Sequence, residues 1–167
     1  MRFWLLIFLA IASGGCAGYK LGPTNGFAAG SRTVKFKPFV NLTRDPRVSE
    51  YLSTSLRKQL QQDGTFRLET SGSPDILVSG EITKLERNGL SYVEGDVLTP
   101  QEYTLTMQAR VTAMNVNTGK TYINRTVSGT TYIRIANDET SSERQAIPLL
   151  TDNLARNAIS LLVDGAW

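Results

Sequence analysis

Between Tyr103 and Ala113 the chain alternates without a break. Tyr103, Leu105, Met107, Ala109, Val111 and Ala113 are separated by Thr104, Thr106, Gln108, Arg110 and Thr112. Successive side chains of a strand point to opposite faces, so a sheet with one buried and one wet face produces this pattern. The constraint spreads to the neighbouring segments. Residues 115–120 form a glycine-containing turn, and 122–135, rich in β-branched residues, read as the antiparallel hairpin partner. Upstream, Ile76, Val78, Gly80 and Ile82 share one face of a strand expected over 75–86.

Two segments carry the other period. Val48, Leu52, Leu56 and Leu60 recur at steps of four with Tyr51 beside them, an amphipathic helix that Asp63-Gly64 ends. Pro46 suits its first turn, with Asp45 as the cap. A second helix is expected from about Ser142 to Val163, with Ile147, Leu150, Leu154, Ala158 and Leu161 on one side. Pro148 either kinks it or marks its true start. Residues 136–142 read as a polar loop. Val34 and Phe36 alternate with Lys35 and Lys37 in a first strand that Pro38 assigns to an edge or a bulge, and Phe66 and Leu68 suggest a short one. The fold class is therefore α+β: a two-layer sandwich, two helices on one face of a mainly antiparallel four- to five-stranded sheet, in the order β-α-β-β-β-α.

The first residues do not belong to that domain. Met1 and Arg2 give a short positive start, residues 3–12 are an uninterrupted apolar run, and Ser13-Gly14-Gly15 precede Cys16, the one cysteine of the chain. This is the organisation of a secretory signal. Ten apolar residues at about 1.5 Å each cover roughly half of a ~30 Å hydrocarbon layer, too few for a spanning helix. The segment resembles the lipobox of bacterial lipoproteins, with Ser13 where that motif usually has an aliphatic residue. The resemblance implies cleavage before Cys16 and acylation of its thiol, and two or three acyl chains make a durable anchor. The expected organisation is a removed signal peptide over 1–15, a lipidated N-terminus and glycine-rich linker over 16–31, and the α+β domain over 32–167. Ala17 and Gly18 lack the Asp that usually retains lipoproteins in the inner membrane, which favours the outer membrane.

The sequence also restricts the chemistry. It has no histidine, and its cysteine is assigned to lipid, so Ser/His/Asp, Cys/His and histidine-based metal sites are excluded. No phosphate-binding glycine motif stands between a strand and a helix. Acidic pairs such as Glu94 with Asp96, or Asp138 with Glu139, read as solvated loop charges. A formal net charge of +3 that includes Arg2 carries no nucleic-acid footprint. No cofactor, metal or catalytic residue is expected, and the protein is read as non-enzymatic. What remains is surface: Lys84, Arg87, Arg110, Arg125 and Arg134 lie on or beside the strands, and each is suited to phosphate or carboxylate.

The order of these features resembles the lipopolysaccharide-assembly lipoprotein LptE family. Cys16-Ala17-Gly18-Tyr19-Lys20-Leu21-Gly22 is similar to the family's mature start. The turn Asn41-Leu42-Thr43-Arg44-Asp45-Pro46, Glu102-Tyr103 opening the long strand, and Glu143-Arg144-Gln145-Ala146 with Leu154-Ala155-Arg156 in the last helix also fit. The departures are Ala17 after the cysteine, Lys20 in place of a common His, and Pro148. The resemblance implies a plug inside the lumen of an LptD-type outer-membrane β-barrel, assisting its assembly and the passage of lipopolysaccharide. The protein is then lipid-anchored at the outer membrane, facing the periplasm or enclosed by the barrel. Arg134 is the first candidate for a lipopolysaccharide contact, followed by Lys84 and Arg87.

The alternative is an outer-membrane lipoprotein that regulates peptidoglycan synthases or serves a secretion assembly. The tether argues against a long reach, since residues 17–32 span at most ~55 Å when fully extended. A glycan-cleaving enzyme using Glu94, Asp96 or Glu102 is the remaining contrast.

Overall fold

The computed structural model describes residues 28–135 and 138–165. In chain order they form β1 (Thr33–Phe36), β2 (Val40–Asn41), α1 (Val48–Asp63), β3 (Arg67–Leu68), β4 (Ile76–Val93), β5 (Asp96–Asn115), β6 (Thr121–Arg134) and α2 (Glu139–Val163). Both helices pack on one face of a six-stranded sheet in the order β3-β1-β4-β5-β6, with β2 beside β4. The α+β sandwich is as expected. Its sheet is mixed, because β1 runs parallel to both β3 and β4, and β2 runs parallel to β4. The long strands β4, β5 and β6 are antiparallel.

The alternation in β5 sets the core. Tyr103, Leu105, Met107, Ala109, Val111 and Ala113 are all buried against the helices. Val48, Leu52, Leu56 and Leu60 of α1 and Ile147, Leu150, Leu154 and Ala158 of α2 cover them. The helices meet at a buried hydrogen bond between the hydroxyls of Ser55 and Thr151, 3.1 Å apart. That contact satisfies two polar groups that burial would otherwise penalise.

Helix ends depart from expectation in two places. The polar segment before α2 is partly helical, because Asp138 accepts the Ser141 N–H at 2.7 Å and starts the helix at Glu139. Pro148 then sits inside α2 on its exposed side, so the carbonyl it leaves unbonded can turn to water. At α1, Asp45 does accept the Arg47 N–H at 3.0 Å, although the regular helix begins only at Val48. Gly64, at φ 74°, closes α1 by donating its N–H to the Leu60 carbonyl, a left-handed position that glycine adopts without penalty.

One side of the sheet is shielded by α2. Gly129 of β6 lies so close to the helix that a Cβ there would stand 2.6 Å from the Leu154 backbone nitrogen. Asn153 accepts the Thr130 N–H and Asn157 donates to the Ser128 carbonyl, at 3.0 and 2.7 Å. These side chains occupy main-chain groups that an edge strand otherwise offers to another chain.

The β4–β5 hairpin runs well beyond the helices. Both strands are longer than expected, and residues 86–95 contain no buried side chain. Gly95, at φ 82°, makes the turn.

Candidate functional site

Two grooves hold Lys84, Arg87 and Arg134. The larger, about 680 Å³, lies beside β4 where Thr83, Lys84, Leu85, Glu86 and Arg87 face the loop Leu42–Arg47. The loop's shape follows from its side chains. Asn41 accepts both the N–H and the hydroxyl of Thr43, at 2.9 and 2.8 Å, and donates to the Asp45 carbonyl at 2.7 Å. This turn lifts the chain away from β4 just after Leu42 has donated its N–H to Ile82.

A bulge gives the groove its other wall. Ile82 pairs with Ala109 and Lys84 with Gln108, leaving Thr83 as an extra residue on β4. The insertion reverses the faces. Leu85 and Arg87 now stand opposite Met107 and Leu105 on the helix side, while Lys84 and Glu86 turn to the open side.

Arg87 therefore reaches α2. Its Nη2 donates to both Glu143 oxygens at 2.7 Å and its Nε to one of them at 3.1 Å, with Glu139 at 3.9 Å. The bonds to Glu143 hold the guanidinium's pKa above its usual value. Tyr103 packs next to this pair, its hydroxyl buried and, among the described residues, without a hydrogen-bond partner, and burial pushes its pKa up. At the groove's far wall, Arg47 bonds Asp45 at 2.9 Å and lowers the pKa of that carboxyl.

Of the three cations put forward for a lipopolysaccharide contact, Lys84 and Arg87 share this groove. Lys84 lies 3.4 Å from Glu86, and both are half-exposed, where such a pair contributes little. Arg134 is elsewhere. It lines a smaller groove of about 230 Å³ with Tyr132, Ser141, Gln145 and Leu149, between the end of β6 and the start of α2. Its Nε stands 3.6 Å from Glu102 and its side chain is 83% exposed, so it can turn to a ligand. Cys16, the expected signal over 1–15 and the expected linker over 16–31 as far as residue 27 lie outside the described residues.

Sequence reading had not singled out Arg44 and Arg47, which face Lys84 and Arg87 across the groove. The signal for them was the asparagine-led turn itself, which fixes where its arginines project. Nothing in the linear pattern joins Arg87 to Glu143, because 56 residues separate them. The cations that line both grooves suit contact with anionic groups.

No curated protein matches the chain at a significant level. Among solved structures it is similar to a hypothetical protein from Chlamydia trachomatis, at 13% identity and a TM-score of 0.56, covering 81% of this chain and 96% of that one. It is also similar to a minor lipoprotein from Acinetobacter baumannii, at 16% identity and a TM-score of 0.53, covering 79% and 92%. A Xanthomonas campestris protein gives 9% identity and a TM-score of 0.59, covering 85% and 90%. At such identities the likeness is one of fold. The family comparison is more specific, because the model for LptE, lipopolysaccharide assembly, matches residues 31–163. That span runs from the start of β1 to the end of α2, and so the chain belongs to the LptE lipopolysaccharide-assembly family.

Proposed function

We propose that this LptE-family protein is a non-enzymatic outer-membrane lipoprotein, anchored through acyl chains on Cys16, that plugs an LptD-type β-barrel translocon and assists its assembly. The observation that carries the reading is the family match across the whole folded domain. The surface supports it: a wet sheet face rich in hydroxyls can line a polar barrel lumen, and cations at both grooves suit the phosphates of lipopolysaccharide. Arg134 is the foremost candidate for such a contact, being the most exposed of the three, with Lys84 next. Arg87 is the weakest, since Glu143 already occupies much of its hydrogen-bonding fork.

The deciding experiment is purification of the tagged protein from native outer membranes in mild detergent. Recovery of a large β-barrel in near-equal amount is expected. Recovery of a peptidoglycan synthase, with no barrel, would overturn the proposal.

A further inference from the structure

The sheet treats its exposed backbone unequally. On β6, Asn153 and Asn157 of α2 bond the outward-facing groups of Thr130 and Ser128. On β4, pairing on the side away from β5 ends with the Leu42 N–H on Ile82. Among the described residues no strand lies on that side from Thr83 to Val93. This leaves an open edge of roughly 30 Å at about 3.3 Å per residue.

Proteins usually blunt such an edge with short length, charge, a bulge or a covering element, and β4 carries charge at Lys84, Glu86 and Arg87 and a bulge at Thr83 but no covering strand among the described residues. Here the covering chain is steered off by the Asn41 turn, and the space it vacates is the 680 Å³ groove. The slot continues the track that β2 follows for two residues, past the bulge at Thr83 and along the regular pairing of Lys84 to Gly89. Its ends differ in chemistry. Near the turn, Arg44 is exposed, and no carboxylate among the described residues lies within ion-pair distance of it. At the hairpin end, Leu90 and Tyr92 are about half exposed.

We infer that the outer edge of β4, from Thr83 to Val93, is a strand-addition site for an extended segment of the barrel partner. That segment carries an acidic residue to meet Arg44 and an apolar residue to meet Leu90 and Tyr92. Main-chain hydrogen bonds supply affinity in this mode, and the side chains at the two ends supply selectivity. The inference rests on the barrel-partner reading proposed above.

Hydrogen exchange on the full-length protein, free in detergent and in the complex purified from native membranes, separates the two. Amides between Lys84 and Tyr92 that face outward are expected to slow by about tenfold or more in the complex. A photo-crosslinking residue replacing Glu86 should then join to one contiguous barrel segment that contains an acidic residue. If the barrel co-purifies while exchange over this stretch is unchanged, the edge inference fails and the barrel reading stands. If no barrel co-purifies, both fail. Protection already present in the free protein assigns the edge to the chain itself or a second copy, and a crosslink to lipid alone assigns it to the membrane; either result overturns the inference.

Discussion

Arg87 on β4 and Glu143 on α2 form a forked ion pair, with Nη2 2.7 Å from both carboxylate oxygens. The Glu143 side chain is 10% exposed and that of Arg87 51%, so the carboxylate depends on its partner more than the guanidinium does. The pair ties the base of the projecting hairpin to the first turns of the last helix. Replacing Arg87 with Ala strands a nearly buried carboxylate and should lower stability by about 1–2 kcal/mol, solvent screening of the exposed half included. Arg87→Lys should recover only part of the loss, because an ammonium cannot reproduce the fork. Urea unfolding of the purified protein measures both, and equal stability of the Ala and wild-type forms would refute the role.

Gly129 is predicted to be the most size-sensitive position of β6. A methyl group there meets the Leu154 backbone at 2.6 Å, and a backbone cannot swing aside as a flexible side chain can. Gly129→Ala should cost about 1–3 kcal/mol through displacement of α2. The same change at Gly119, in an open turn, should cost less and act only through its positive φ. Paired thermal melts of the two variants provide the comparison.

Asp75 gives the domain an acid-sensitive contact. Its carboxylate accepts the N–H and the hydroxyl of Thr33, both at 2.8 Å, joining the start of β1 to the start of β4. These bonds lower its folded pKa beneath the ordinary 3.8. A depressed folded pKa contributes stability that is present above the unfolded value and lost as pH falls through the folded one. Stability should therefore decline below about pH 4, and Asp75→Asn should flatten that part of the curve. Denaturation midpoints measured between pH 3 and 6, expected to diverge least at the acid end, test the assignment on the order of these values.

Cys16→Ser should abolish acylation and release the protein from the membrane, since a serine oxygen does not replace the modified thiol. Fractionation of cells expressing the variant reads this directly. Tight membrane attachment that survives the change would rule out the proposed anchor.

Replacing Arg134 with Ala should leave folding nearly unchanged, because its exposed pair with Glu102 contributes under about 1 kcal/mol. Binding of purified lipopolysaccharide should weaken severalfold and become less sensitive to salt. Unaltered binding and salt dependence would remove Arg134 from the contact.

Much of this architecture was written in periodicity. The period-two run of β5 specified which of its residues are buried, and the four-residue steps of α1 specified its inner face, because burial of apolar surface rewards those spacings wherever the elements meet. Helix limits were less legible. Asp138 could cap α2 only once its side chain reached the Ser141 N–H, and Pro148 was tolerated only because its side of the helix faces water.

The sequence by itself determined an α+β sandwich, its two helical stripes, and the residues of its central strand. Tertiary structure alone decided which cations share a site. Continuing the period from Ile82 would put Lys84 and Glu86 against the helices; the extra residue at Thr83 sends them outward and brings Leu85 and Arg87 in. A bulge depends on how two paired strands fit under the same helices, and no local pattern encodes that fit. For the same reason the partnership of Arg87 with Glu143, and the edge left open beside β4, became visible only in the folded chain.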